Sequence, residues 1–501
     1  MFQAFRNIRI GVFIAFVNLL IQGISFFVQN FIARNLGTAS YGHFGLLQTD
    51  YSIFCAIADF GMTTLILAFF GSRATKGSLF RSILQLRLFS AVVAALLMVA
   101  FAFAFRYNHP IFYGELIFTF GLVFQHAFFD WYFICGKFWK RLFVSKLLHT
   151  ISYSAVMGAA LLYFKIERIE LIALAMVLAA LPAFFYGVTQ AFHAHLLKIT
   201  RRTFRFIALM VKAGIPYAIS SFAAFAYLPI GLYVADKFAS AEFLGCYNFG
   251  HKILVLCSGI MVHFISSNLI TLHSTHDKDL HLKDIAIFTL FIAVCSSPLW
   301  LFPSWILKIL FFAAPWTDAT LQTSANILQI LSFSLIFQAA RTTLISTLLK
   351  EHATRAYAVM VSIGGASNVI ACMLAGLYLE NAMIPLFALT GDLVITAILF
   401  GYFAHHGRVR WYNRALAAAH RADKEEERHP HPIHTLLVTG REVPQDNPHH
   451  ERRSEQKHKR IFRNRHPVVA ERKEHTKEER QQEDSGETEV LVRIPQVRNR
   501  I

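Results

Sequence analysis

The chain has 501 residues, 55% of them hydrophobic and 16% charged, with a formal net charge of +17. Soluble domains average about 25% charged residues, so this composition excludes an ordinary soluble protein and points to an α-helical protein that crosses a membrane many times. The excess of Lys and Arg does not indicate nucleic acid, because most of the basic residues of the apolar region fall in short loops, where membrane topology places them.

A helix that crosses the hydrocarbon core needs ~20 mostly apolar residues. With breaks at charges, Pro and Gly, the sequence predicts twelve such spans. They are Ile10–Ala33, Phe44–Phe70, Leu84–Phe105, Ile111–Gly136, Leu147–Phe164, Ile169–Gln190, Ala213–Ala235, Phe243–Ile270, Ile285–Phe311, Leu321–Leu349, Ala356–Leu379 and Ile384–Ala404. The first run is too long for the apolar region of a signal peptide and lacks a small-residue cleavage site, so it reads as a span. Only Lys165–Ile166–Glu167–Arg168 separates the fifth span from the sixth, but the two together are too long for one crossing.

Loop charge orients the chain. With the N-terminus inside, inner loops carry Arg6, Arg9, Arg73, Lys76, Arg81, Lys137, Lys140, Arg141, Lys146, Lys198, Arg201, Arg202, Arg205, Lys278, Lys283, Lys350 and Arg355. Outer loops carry only Arg34, Arg106, Lys165, Arg168, Lys237 and Lys308. This alternation predicts an even number of spans with both termini cytoplasmic in a plasma (inner) membrane. Between the sixth and seventh spans, residues 193–212 form a basic amphipathic linker suited to an anionic leaflet. It divides the body into two six-helix bundles, 1–192 and 213–406. A short echo supports the division: Ser40–Tyr41–Gly42–His43–Phe44–Gly45 in the first bundle matches Phe243–Leu244–Gly245–Cys246–Tyr247–Asn248 in the second. From Gly407 to Ile501 the sequence becomes charged and His-rich, which predicts a disordered cytoplasmic tail.

Several short runs resemble Wzx-type O-antigen and polysaccharide flippases of the multidrug/oligosaccharidyl-lipid/polysaccharide superfamily. They are Ala33–Arg34–Asn35–Leu36–Gly37 with Tyr41–Gly42–His43–Phe44–Gly45–Leu46, then Ala58–Asp59–Phe60–Gly61–Met62, Gly214–Ile215–Pro216, Leu244–Gly245–Cys246–Tyr247 and Asn368–Val369–Ile370. Two departures stand out. Thr38–Ala39–Ser40 replaces a Pro-containing turn, and the Gly/Ala-rich pattern expected after Ile384–Pro385 is missing. The resemblance implies alternating access between two bundles. The substrate would be a polyprenyl-diphosphate-linked glycan unit whose polar head crosses a hydrated cleft while its lipid stays in the bilayer. Its partners would be that lipid-linked oligosaccharide, membrane lipids, and a polysaccharide polymerase with other synthesis machinery.

Ionisable groups at membrane depth are costly and must face a cavity or a partner. Lys252, Arg341, Arg87, His126 and Asn248 are the substrate-binding candidates, the cations for diphosphate or acidic sugars. Asp59, Asp130 and Asp392 are candidates for ion coupling or for structural pairing. His126 and Asp130, like Asn248 and Lys252, are four residues apart and share a helix face. Arg87, Lys212 and Asp236 lie near span ends, where snorkelling is the simpler expectation.

Neither the scattered cysteines nor the irregularly spaced tail histidines form a metal or cofactor motif, and no catalytic motif is present. The expectation is therefore a transporter, not an enzyme. A cation-coupled multidrug exporter of the same superfamily is the rival transporter, and a membrane polymerase or ligase is the rival enzyme.

Overall fold

The computed structural model describes residues 2–62, 76–126, 138–193, 229–275, 282–350 and 354–405, with short pieces at 132–133, 207, 211–212, 214–215 and 218–219. The tail from Gly407, Asp130, most of the 193–212 linker and most of the seventh expected span lie outside the described residues. Among the described residues every regular element is helical.

The first helical run, α1, covers Phe2–Asp59 and is broken at Gly37, whose φ of 72° lies in the left-handed region that glycine enters without a Cβ penalty. The two arms fold side by side. Tyr41 Oη reaches 3.5 Å from Gln29 Oε1, whereas twelve residues of straight helix would hold their backbones ~18 Å apart. After α1 come α2 (Lys76–Phe105), α3 (Phe112–His126), α4 (Trp139–Gly158) and α5 (Ile169–His193). A π-helical turn, Ala159–Tyr163, extends α4. The chain then breaks near Lys165, which has a φ of 48°, within the four-residue segment that separates the fifth and sixth expected spans.

The second part of the body holds α6 (Ile230–Phe238), α7 (Ala241–Thr275), α8 (Leu282–Leu301), α9 (Pro303–Leu310), α10 (Asp318–Ser332), α11 (Ser334–Lys350), α12 (Thr354–Tyr378) and α13 (Asn381–His405). Several expected spans are not continuous helices, the second turning at Phe60–Gly61, both at positive φ. Pro303 lacks the N–H that would continue α8, and the pair Thr289–Leu301 and Pro303–Leu310 bends by 86°. Short turns also interrupt the tenth expected span at Phe333, between α10 and α11, and the twelfth at Ala388–Leu389, within α13. Among the described residues five helices are long and apolar enough to cross a bilayer, or six if the bent pair counts as one span.

Sequence periodicity explains how such apolar helices pack. On α2, Ala91, Ala94, Met98 and Ala102 are buried and follow helical spacing, so small side chains form the face that meets its neighbours. Phe89, Leu96 and Phe103 repeat every seven residues on another face and are 68%, 66% and 54% exposed. In a bilayer such a stripe meets acyl chains instead of water.

The most extensive helix pairing is between α1 and α7. A Cβ on Gly42 would lie 2.5 Å from Gly245 N, and one on Gly245 would lie 2.1 Å from Thr38 O. Only glycine permits this backbone approach. The Asn248 amide sits over Gly45, and its Nδ2 donates to Tyr41 O at 2.8 Å. The two segments that echo each other in sequence therefore pack together, Gly42 on Gly245 and Gly45 on Asn248. Next to them Phe249 meets Tyr41, Phe311 and Trp316 at centroid distances of 4.7, 4.8 and 4.6 Å. The buried Tyr41, Phe249 and Phe311 anchor this end of the core.

Candidate functional site

Two adjoining cavities of about 330 Å³ each open among α1, α3, α4, α5 and α7. Both are lined by Ser25, Gln29, Gln48, Tyr51, Phe118 and Met176. The first adds Gln22, Ser52 and Lys252, and the second adds His149 and Tyr153. Helical spacing produces this lining. Gln22, Ser25 and Gln29 fall at i, i+3 and i+7 on the first arm of α1, and Gln48, Tyr51 and Ser52 at i, i+3 and i+4 on the second. Among the described residues the walls carry amides, hydroxyls and aromatic rings, groups able to hydrogen-bond and stack on a neutral polar ligand, and no carboxylate.

Lys252 is the cation of this site. It is half-buried, and its Nζ donates to Gln48 Oε1 at 2.5 Å. An amide oxygen orients the ammonium without cancelling its charge. Asn248, one turn earlier, is fully buried and spends its amide N–H on Tyr41 O, so it fastens α7 to α1 and does not line either cavity. His251 is also buried, its ring stacked on Tyr247 at 6.5 Å.

The other sequence candidates lie elsewhere. Arg341 Nη1 meets Asp392 Oδ1 at 2.5 Å, and Ser334 donates to the other oxygen of the same carboxylate. Gln338 donates to Ser334 Oγ at 2.7 Å, and Ser258 donates to Gln338. Arg341 and Asp392 thus form a nearly buried ion pair inside a hydrogen-bonded network that joins α11 to α13. Arg87 pairs with Asp59 at 2.8 Å, tying α2 to the end of α1, and so turns inward instead of snorkelling. The side chain of His126 and all of Asp130 fall outside the described residues.

A second polar cluster was not assembled by sequence reasoning, which named Asp236 only as a span-end group expected to snorkel. Arg106, just past α2, faces three carboxylates: Asp236 at 2.9 Å, Asp50 at 3.5 Å and Glu115 at 3.7 Å. Tyr233 donates to Asp50. His109 Nε2 lies 3.1 Å from Asp236 Oδ1, and His43 Nδ1 lies 3.7 Å from the same oxygen. Asp236, at the end of α6, is therefore held by residues of α1 and of the turn between α2 and α3. Burial raises Asp236, but the His109 hydrogen bond, the His109 charge and Arg106 outweigh it and hold the carboxyl below its usual range. Burial and the neighbouring His109 ring push His43 below the ordinary imidazole value. The available signals were Arg106, a cation in an outer loop where cations are scarce, and Glu115, an acid inside an expected span.

The overall arrangement is that of known transporters. The structure of the lipid II flippase MurJ in an inward closed conformation superposes with a TM-score of 0.62 at 11% identity, over 78% of this chain and 87% of that one. An inward-facing multidrug resistance MATE family transporter of the MOP superfamily gives a TM-score of 0.59 at 13% identity, over 79% and 98% of the two chains. A MATE transporter in complex with MaL6 gives 0.56 at 14% identity, over 81% and 96%. At these identities the likeness establishes the fold alone, the helical fold that these structures share. No curated protein matches the chain by sequence. Residues 9–270, just over half of the chain, match the family described as Polysaccharide biosynthesis protein, and the chain belongs to that family.

Proposed function

We propose that the protein flips a lipid-linked oligosaccharide, a polyprenyl-diphosphate-linked glycan unit, across the bacterial inner membrane for surface polysaccharide synthesis. One observation carries this reading within the family: a cavity whose described lining holds amides, hydroxyls and aromatic rings, with Lys252 as the formally charged side chain and no acid among those described residues. A glycan head needs many neutral hydrogen-bonding partners and a cation for its diphosphate. A drug-cation exporter needs the reverse, an acidic pocket. The described lining therefore favours the glycan.

Alternating access needs a closed outer side when the cavity is open inward. The chain would cross the membrane twelve times, as two six-helix halves with both termini cytoplasmic. Contacts between chain ends support that topology. Asn35 after the first span donates to Leu161 O at the end of the fifth at 2.8 Å. His43, His109 and Asp236 follow the first, third and seventh spans and meet one another. A Cβ on Gly376, near the end of the eleventh, would lie 2.6 Å from Phe238, just after the seventh. Ends of odd-numbered spans thus gather together, as the loop-charge alternation requires. Gly214 lies against Met62 and Phe60, whereas Asp236 lies at His43, ~25 Å away along α1. That separation approaches the ~30 Å of a hydrocarbon core. The packing of the two echoing segments on each other suits an axis between halves related by a pseudo-two-fold. The clamp of Arg106 and His109 on Asp236 would then be part of the outer closure, in keeping with the inward-facing and inward closed states of the similar structures.

The test is a deletion strain probed for lipid-linked oligosaccharide accessible only from the cytoplasmic face. Accumulation there, relieved by the wild-type gene, is the expected result. Normal surface glycan with lost resistance to a cationic dye would overturn the reading in favour of a drug exporter.

A further inference from the structure

The His43–His109–Asp236 cluster has the makings of a metal centre. The three side chains each offer one ligand atom, and these atoms lie within 4.8 Å of one another. Asp236 Oδ1 is 3.1 Å from His109 Nε2 and 3.7 Å from His43 Nδ1. Ligands of a tetrahedral zinc ion, with bonds of ~2.0–2.1 Å, stand ~3.3 Å apart, so two of the three separations are close to the required geometry. His43 Nδ1 is buried and makes no hydrogen bond, yet it points at the carboxylate oxygen that His109 also faces. Beyond the first ligands, Arg106 holds Asp236 Oδ2 and so fixes the carboxylate with Oδ1 turned toward the two rings.

Two imidazoles and one carboxylate favour Zn²⁺ and similar transition ions over Mg²⁺ or Ca²⁺, which take all-oxygen sets.

We propose that His43, His109 and Asp236 bind a divalent transition-metal ion of the Zn²⁺ class. Such an ion would tie the end of α6 to α1 and to the α2–α3 turn, holding these span ends together and disfavouring the state in which they separate. Binding moves the His109 proton to Nδ1 and breaks a long contact, 3.5 Å, with Ile111 N–H, a small loss beside two metal–nitrogen bonds. The site does not depend on the identity of the transported substrate. Only its placement on the outer face rests on the orientation proposed above, so failure of either reading is separately visible.

The experiment uses the purified full chain in nanodiscs, with Zn²⁺ bound in competition with a chromophoric chelator and thermal unfolding followed with and without Zn²⁺. The tail histidines are common to every variant, so the difference between variants reports this site. The expected result is that His43→Ala and His109→Ala each lose one equivalent of bound metal and lose the rise in melting temperature that Zn²⁺ gives the wild type. Equal binding and equal stabilisation in wild type and variants would overturn the proposal. So would stabilisation by acid with none by Zn²⁺, which would mean that protons balance the carboxylates. Should His43→Ala unfold when metal-free, His43→Cys decides the matter. Retained stabilisation with a shift of preference toward Cd²⁺ supports the site, and no stabilisation by either metal overturns it.

Discussion

Lys252 and Arg341 look alike in sequence, each a lone cation deep in an apolar run of the second half of the chain, yet their surroundings differ. Arg341 meets a carboxylate, and that carboxylate is fixed in turn by Ser334 within a network that includes Gln338 and Ser258. Lys252 meets the neutral oxygen of Gln48 on the wall of a cavity. The partner decides the role. A cation whose charge is spent on a buried acid holds helices together, whereas one oriented by an amide would, on the proposed function, keep its charge for a ligand.

The largest effect should come from Arg341→Ala. Removing one partner of a buried ion pair leaves Asp392 uncompensated and costs ~3–5 kcal/mol, which would appear as a marked loss of folded protein in the membrane. Fluorescence-detected size-exclusion of the solubilised chain measures this directly. Replacing both partners with apolar residues, Arg341→Met with Asp392→Leu, should recover much of the loss, because no charge is left stranded. If the single variant instead keeps normal abundance and loses only transport, Arg341 belongs with Lys252 and the contrast collapses.

Arg87→Ala comes next. The pair with Asp59 is short, 2.8 Å, but Asp59 is 23% exposed where Asp392 is 3% exposed, so water can take over part of the lost interaction. A cost of ~1–2 kcal/mol is expected, between the surface and buried limits. A loss of abundance equal to that of Arg341→Ala would show that exposure does not rank these pairs.

These distinctions set how much could be read from sequence. Helix type and the break near Lys165 follow from apolar length and charge, which are local properties of the chain. The bend at Phe302–Pro303 falls inside the ninth expected span, which the sequence reading carried straight through, because a proline permits a bend but its 86° size depends on what α9 packs against. The site was partly legible. Lys252 stood out because a charge in an apolar run is rare, while Gln22, Gln29, Gln48 and Ser25 did not, because neutral polar residues are common in membrane helices. Which cation meets which acid was not legible. Arg106 and Asp236 are separated by 130 residues, and no pattern within either segment names the other. Asn248 shows the same limit, since its distance from Lys252 places the two on one helix face but does not say that Tyr41 takes its amide.

Lys252→Gln is expected to leave abundance nearly unchanged, because glutamine can keep a hydrogen bond to Gln48 and its loss of charge strands no buried acid at this site. Transport should fall, by about tenfold if the ammonium contributes ~1.4 kcal/mol to holding an anionic head, measured as surface glycan per unit of folded protein. Lys252→Arg should retain more transport than Lys252→Gln, since charge is kept while the shape of the donor changes. The smallest effect provides the control. Arg168 pairs with Glu170 at 2.5 Å, but its side chain is 73% exposed, so Arg168→Ala should change stability by less than ~1 kcal/mol and leave transport intact. Its short distance equals that of the Arg341 pair. If the two variants lost abundance equally, distance alone would rank the ion pairs; the expected gap between them isolates burial as the variable that separates a structural cation from an exposed one.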